Sequence, residues 1–99
     1  MAAKKIIISK IFKDDYITRA AGERLRVMIE QADRDNCMID LVFTAIKVGS
    51  TSFFDEGIAK LKDLGWDRNR LEKHVRFVGL SKSDQKILDA VCSLRKFSR

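Results

Sequence analysis

The sequence predicts an α/β domain with a small, mostly parallel sheet and alternating helices. Short apolar runs alternate with segments whose apolar residues recur at helical spacing, in the order strand, helix, strand, helix, strand, helix. Right-handed crossovers through such helices make successive strands parallel. The 99 residues contain no proline and no Gly/Ser-rich linker, so we expect residues 1–99 to form a single domain.

The three predicted strands are short and apolar. The first covers residues 5–12, the second 37–43 and the third 74–78. The second is almost continuously apolar, with Asp40 as its interruption, which indicates a strand covered on both faces. The segment 67–73, just before the third strand, could form one or two helical turns.

Each of the three predicted helices has a start or stop signal. The first has Thr18 as its N-cap and stops at Asp35-Asn36. The second carries its apolar face over residues 54–64, and Gly65 can end it as a left-handed C-cap. The third follows residues 81–84, SKSD, which have the form of a capping box.

Composition bounds the classes of function. The only histidine is His74, no CxxC occurs, and Cys37 and Cys92 lie far apart in apolar runs, so we expect buried free thiols, no metal and no cofactor. The N-terminal apolar run is too short for a signal peptide or a membrane helix, so we expect a cytoplasmic protein without a membrane contact.

The net charge of +6 raises the question of nucleic acid. Aromatic residues do not interleave with the basic clusters as a stacking platform requires, so a nucleic-acid-associated regulator is our alternative function. The two clusters are Arg68, Arg70, Lys73 and Arg76, and Arg95, Lys96 and Arg99.

The connection between the second strand and the second helix, residues 44–52, is the main candidate site. Ligands of parallel α/β sheets gather beyond the carboxyl ends of the strands. Ser50, Thr51 and Ser52 stand where the helix begins, and Gly49 permits a tight turn. A hydroxyl there could cap the helix, as Ser52 with Asp55 three residues later would, or accept a phosphoryl group, with Ser50 and Thr51 as candidates.

The second helix adds an aromatic and an acidic pair to this site. Phe54 continues the apolar face, so Phe53 lies nearer the edge, where it could anchor a partner or pack under a neighbouring loop. Lys60 lies on the face that we expect to be exposed. The predicted partner-binding residues are Gly49, Ser50, Thr51, Ser52, Phe53, Asp55 and Glu56.

Catalytic motifs are scarce, and we expect a protein that is not an enzyme. Ser50, His74 and Asp40 could be assembled on paper into a hydrolase triad, but nothing places His74 near Ser50. A small hydrolase is therefore the third of the three functions considered.

Several segments resemble the STAS-like domains of unknown function. Residues 39–41, IDL, and 45–57, AIKVGSTSFFDEG, look like the central signature of that family. Residues 22–26, GERLR, are similar to the start of its first helix, and 77–81, FVGLS, to its last strand-to-helix junction. The resemblance implies a STAS-like fold and a non-enzymatic, regulatory interaction module that docks a protein partner, such as a histidine-kinase-type ATPase.

A more distant resemblance is to the STAS domains of bacterial anti-sigma factor antagonists. In those domains a partner kinase phosphorylates a serine at the start of the helix after a central strand, and this breaks the complex. The corresponding position is Ser50, with Thr51 beside it. The chain departs from the pattern because Gly49 stands where those domains usually carry Asp, and Ser52-Phe53 replaces Gly-Leu.

Overall fold

Three parallel strands form the sheet. The structure, a computed structural model, describes residues 3–97. The strands are β1 (Ala3–Ile7), β2 (Met38–Val42) and β3 (Val75–Val78), and their order in the sheet is β1-β2-β3. Both neighbouring pairs are parallel, so the predicted α/β class with a parallel sheet is confirmed.

The described part of the chain contains five α-helices and one 3-10 helix. They are α1 (Ile8–Phe12), α2 (Arg19–Arg34), α3 (Thr51–Gly57), a 3-10 helix (Ala59–Leu64), α4 (Arg68–His74) and α5 (Lys82–Leu94). Thr18 and Ser81 cap α2 and α5 through their hydroxyls, as the sequence predicts. Within residues 3–97, no helix combines the length and the apolar character that crossing a membrane requires.

The predicted first strand, residues 5–12, is wrong in its second half. The strand ends at Ile7, and the chain turns directly into α1. Ile8 and Phe12, four residues apart, both point into the core from one face of this short helix. The isoleucines of this run favour a strand. The spacing of four residues between Ile8 and Phe12 is the helical signal within it.

The predicted second helix is divided. The α-helical geometry stops at Gly57, and Ile58, with φ −118° and ψ −58°, leads into the 3-10 helix. Gly65 ends that helix in the left-handed region at φ 92°, as predicted.

Among residues 3–97, helices cover only one face of the sheet. Ile39, Leu41 and Val75 are buried against the helices, whereas Asp40 and Val42, which point the other way from β2, are half-buried. None of the outward residues is buried, so the prediction that the second strand is covered on both faces is wrong. Right-handed crossovers in a sheet of order β1-β2-β3 place both connecting helices on the same side, which explains the open face. The outward residues are Ala3, Lys5, Ile7, Met38, Asp40, Val42, Arg76 and Val78.

The helix layer is held by a very close contact between α2 and α3. A Cβ atom added at Gly22 would lie 2.7 Å from the carbonyl oxygen of Phe53 and 2.9 Å from Cβ of Glu56. One added at Gly57 would lie 3.1 Å from the carbonyl oxygen of Gly22. The two backbones approach this closely because neither glycine has a side chain.

Both cysteines of the described chain are free thiols. Cys92 is buried in the core, as predicted, and burial raises the pKa of its thiol. Cys37 is only half-buried at the edge of the same core, so the expectation of a buried thiol is wrong for Cys37.

The glycine contact makes a prediction about stability. We expect Gly22→Ala to lower the free energy of unfolding by about 2 kcal/mol, because the methyl group has no space and the steric cost exceeds the gain in helix propensity. Urea denaturation measures this. Glu23→Ala, an exposed neighbour on α2, is the control and should change the free energy by less than about 0.5 kcal/mol. A Gly22→Ala protein as stable as the wild type would contradict the close contact.

Candidate functional site

Two connections meet at the carboxyl edge of the sheet. The β2–α3 turn, residues 43–50, lies beside the short connection between β3 and α5. The backbone N–H of Phe43 donates to the carbonyl oxygen of Val78 at 2.7 Å. Gly79, with φ 73°, lies directly against Thr44, and a Cβ atom on Gly79 would lie 2.9 Å from Cα of Thr44. The β2–α3 turn is therefore packed against the start of α5.

A buried carboxylate fixes the β2–α3 turn. Asp84, the third residue of α5, is fully buried, and its two oxygens accept the backbone N–H groups of Val48 and Gly49, each at 2.8 Å. The hydroxyl of Ser81 accepts the N–H of Asp84 at 3.1 Å, which is one half of the predicted capping box. The other half is absent because the carboxylate is directed at the turn. Hydrogen bonds to a charged group are among the strong ones, so Asp84 holds the backbone of the turn firmly.

Asp84 is a residue of the site that no sequence pattern predicted. Asp84 stands three residues after the N-cap Ser81, a position at which an acidic side chain indicates the start of a helix. Nothing in that local pattern indicates that the carboxylate turns toward residues 35 and 36 positions earlier in the chain.

Ser50 is the N-cap of α3. Its hydroxyl accepts the N–H of Phe53 at 3.3 Å and donates to the carbonyl oxygen of Ile17 at 2.5 Å. We expected the cap at Ser52, but it lies two residues earlier. The same hydroxyl joins the β2–α3 turn to the segment that precedes α2. Of the neighbouring hydroxyl residues, Thr51 is exposed and Ser52 is half-buried.

The β2–α3 turn displays side chains on a fixed backbone. Thr44, Ala45, Lys47 and Gly49 are exposed, whereas Val48 is buried. Gly49 adopts φ 61°, in the left-handed region that glycine tolerates best, but the tight turn of this connection lies earlier, at Thr44 and Ala45, where the N–H of Ile46 donates to the carbonyl oxygen of Phe43 at 3.2 Å. Ala45 adopts φ 66°, which a residue with a side chain rarely does and which requires support from its surroundings.

Phe53 does not lie at an exposed edge. Its side chain is fully buried, and its ring meets Phe12 edge-to-face at a centroid distance of 5.8 Å and Phe54 at 5.7 Å. The exposed-anchor alternative is therefore wrong, and Phe53 is packed beneath the helix α1 and not beneath a neighbouring loop. The reason is that α3 is covered on the side of Phe53 by α1 and on the side of Gly57 by α2.

Asp55 and Glu56 point into a cluster of cations instead of solvent. Glu56, buried beneath α2, accepts hydrogen bonds from Arg26 at 2.7 Å, from Lys60 at 2.8 Å and from Arg19 at 3.3 Å. Asp55 accepts from Arg95 of the α5 C-cap at 2.5 and 2.9 Å and from Arg19 at 3.0 Å. The prediction that these acids and Lys60 form an exposed face is wrong, because they join α3 to α2 and α5.

The cations of this cluster keep both carboxyl groups ionised. Arg95, against the opposing effect of burial and with help from Arg19, lowers the pKa of Asp55 to about 2. Burial alone would raise the pKa of Glu56, but the hydrogen bonds from Lys60, Arg26 and Arg19 outweigh it and lower that pKa to about 2 as well.

Most arginines of the two basic clusters contact carboxylates or aromatic rings of the same chain. Arg70 binds Asp33 at 2.6 Å and stacks on Trp66 at 4.3 Å from the ring centroid. Arg76 binds Asp40 at 2.9 Å, and Arg95 belongs to the cluster around Asp55. A nucleic acid would compete with these carboxylates for the same guanidinium groups. Of the remaining predicted residues, Lys73 and Lys96 are exposed, Arg68 lies over the Phe97 ring, and Arg99 lies outside the described residues.

The hydrolase triad is not assembled. His74 ends α4 at the amino edge of the sheet, with its ring against Trp66, whereas Ser50 lies at the carboxyl edge. Asp40 is bound by Arg76 on the open face. The three side chains therefore lie in three different places.

Comparison of the chain with family models, with curated proteins and with solved structures found no match. The resemblance to STAS-like domains stays a prediction.

The role of Asp84 can be measured. We expect Asp84→Asn to lower the free energy of unfolding by about 2 kcal/mol and to speed hydrogen exchange at Val48 and Gly49, because an amide replaces one of the two charged acceptors with a donor. Urea denaturation and amide exchange are the measurements. Asp89→Asn, on the exposed side of the same helix, is the control. Unchanged exchange at Val48 and Gly49 would show that the carboxylate does not hold the turn.

The ion cluster predicts acid sensitivity. The pKa values of Asp55 and Glu56 fall from the ordinary 3.8 and 4.5 to about 2 on folding, so their stabilisation is complete above about pH 4.5 and is lost as the pH falls toward 2. We expect Glu56→Gln to be about 2 kcal/mol less stable than the wild type at neutral pH, with a difference that shrinks below pH 4.

Chemical denaturation across the acid range tests this. Glu23→Gln, an exposed change of the same kind, should leave the acid dependence as in the wild type. Parallel acid profiles for wild type and Glu56→Gln would mean that Glu56 does not contribute through its charge.

Proposed function

We propose that this chain is a non-enzymatic interaction module that docks a protein partner through the β2–α3 turn and the adjoining Thr51. The observation that carries the proposal is the way Asp84 fixes this turn while the side chains of Thr44, Ala45 and Lys47 stay exposed. A surface loop that is already ordered loses little conformational entropy when a partner binds, which favours docking.

The docking surface is smaller than the sequence indicates. Phe53 belongs to the core, and Asp55 and Glu56 belong to the ion cluster, so the surface consists of the exposed residues Thr44, Ala45, Lys47, Gly49 and Thr51 with the half-buried Ser50 at its margin. The resemblance to STAS-like domains suggests the class of partner, a histidine-kinase-type ATPase.

Phosphorylation of this surface is the second part of the proposal. Thr51 presents an exposed side chain, whereas the Ser50 hydroxyl already donates to Ile17 and caps α3. A phosphoryl group on Ser50 would remove the hydrogen that reaches Ile17 and add a charge of about −1.5 to −2 at the docking surface. Either effect would weaken a partner that binds the unmodified turn.

Crosslinking tests where the partner binds. A photoreactive amino acid replaces Thr51 in one protein and Lys62, exposed on the 3-10 helix, in the control. We expect a host protein to crosslink at position 51 and not at position 62. Equal crosslinking at both positions, or none at position 51, would contradict docking through the turn.

The charge switch has its own pair of variants. Ser50→Asp keeps an N-cap acceptor and adds a charge, whereas Ser50→Ala loses the cap without adding one. We expect Ser50→Asp to weaken binding of the crosslinked partner at least tenfold more than Ser50→Ala, measured by calorimetry. Equal affinities of the two variants would remove the switch and leave the docking surface intact.

A further inference from the structure

The open face of the sheet carries an apolar row at its carboxyl edge. The register places Ile7, Val42 and Val78 side by side on the three strands, and each of these side chains is half-buried. Met38, 38% exposed, adds a fourth apolar side chain at the amino end of β2. All-parallel sheets occur almost only with both faces covered. Since the helices of residues 3–97 cover only one face, the apolar row indicates that a partner covers the other.

A charged row lies next to the apolar row. Lys5, Asp40 and Arg76 stand side by side on β1, β2 and β3. Arg76 donates two hydrogen bonds to the carboxylate of Asp40, at 3.0 and 2.9 Å, so this negative charge is already neutralised within the face. Lys5 is exposed and pairs with none of the carboxylates of residues 3–97. With two cations and one carboxylate, the row has an excess positive charge on the side of β1.

The dimensions of the open face match those of one helix. Strands spaced by about 4.8 Å place the axes of β1 and β3 about 10 Å apart, which is the diameter of a helix with its side chains. The five residues of β2 extend over about 16 Å, a length that about 11 residues of a helix span. A single helix along β2 would therefore cover all three strands.

A second copy of the same face covers it poorly. If two sheets pack in aligned fashion about a two-fold axis parallel to β2, full overlap brings Asp40 to Asp40 and Lys5 to Arg76 of the other copy, so that like charges meet. A pair shifted sideways by one strand avoids these contacts but leaves one outer strand of each copy open. The charges of the face therefore favour a different molecule with negative charge.

We propose that the open face docks one amphipathic helix of a partner protein, with an apolar stripe over the apolar row and acidic side chains on its flanks. A carboxylate on the side of β1 pairs with Lys5. The Arg76 side chain is 71% exposed and uses two of its five N–H groups on Asp40, so it can also donate to a carboxylate on the side of β3. This surface is separate from the proposed docking through the β2–α3 turn, because it lies on the side of the sheet away from the helices.

Two designed peptides test the proposal. Both are stapled helices of about 16 residues with the same leucine stripe, flanked by glutamates in one peptide and by lysines in the other. In NMR titrations of the full chain, we expect the glutamate peptide to bind with a Kd on the order of 100 µM and the lysine peptide at least tenfold more weakly. The largest shifts should belong to the amides of the three strands.

Two matched pairs of variants locate the binding surface. Lys5→Glu and Lys62→Glu change the net charge equally, but Lys62 lies on the 3-10 helix, away from the open face. We expect Lys5→Glu to raise the Kd of the glutamate peptide about tenfold and Lys62→Glu to raise it less than about twofold. Val42→Thr keeps a β-branched shape but adds a hydroxyl to the apolar row, and it should raise the Kd about fivefold. Its control, Val27→Thr on the exposed side of α2, should leave the Kd unchanged.

Several results would overturn the proposal. They are a glutamate peptide that does not bind at up to about 2 mM, equal Kd values within either pair of variants, and shifts confined to the β2–α3 turn. Dimerisation of the wild type that Lys5→Glu abolishes would assign the face to a second copy instead. Binding to phosphatidylglycerol vesicles and not to the peptide would assign it to a lipid surface.

Discussion

Two glycines set the geometry of the helix layer. Because Gly22 and Gly57 lack side chains, α3 packs against α2 with almost no gap between the backbones. This distance places Glu56 within reach of Arg26 and Arg19, and it directs Asp55 toward Arg95 of α5. On another side of α3, Phe12 of α1 covers Phe53. The ion cluster therefore depends on the glycine contact, whereas the β2–α3 turn is held by Asp84.

Helix ends are predicted well from the sequence where the capping residue acts through its own side chain or backbone conformation. Thr18, Ser81 and Gly65 each act at a helix end through a hydroxyl or a left-handed backbone, and all three do so in the structure. The short helix α1 and the open face of the sheet were not predictable in this way. The helix is hidden in a β-branched run, and the open face depends on the order of the strands, which no local pattern contains.

In the candidate site too, features set by residue type were predictable, and features set by distant elements were not. The left-handed backbone of Gly49 and a cap among the hydroxyl residues follow from residue type. The surroundings of Phe53, Asp55 and Glu56 depend on α1, α2 and α5, which are distant in sequence, so the pattern on α3 alone misjudged their exposure. Asp84 shows the same dependence on distant elements. Its helix position is readable, but its bonds to Val48 and Gly49 arise only because β2 and β3 are neighbours.

The proposed function requires that the β2–α3 turn is ordered before any partner binds. Backbone amide relaxation by NMR on the free protein reports this property directly for residues 43–50. We expect order parameters of about 0.85 for the turn, equal to those of the neighbouring strands. Values below about 0.6 in the turn, with rigid strands beside it, would contradict a docking surface held in place by Asp84.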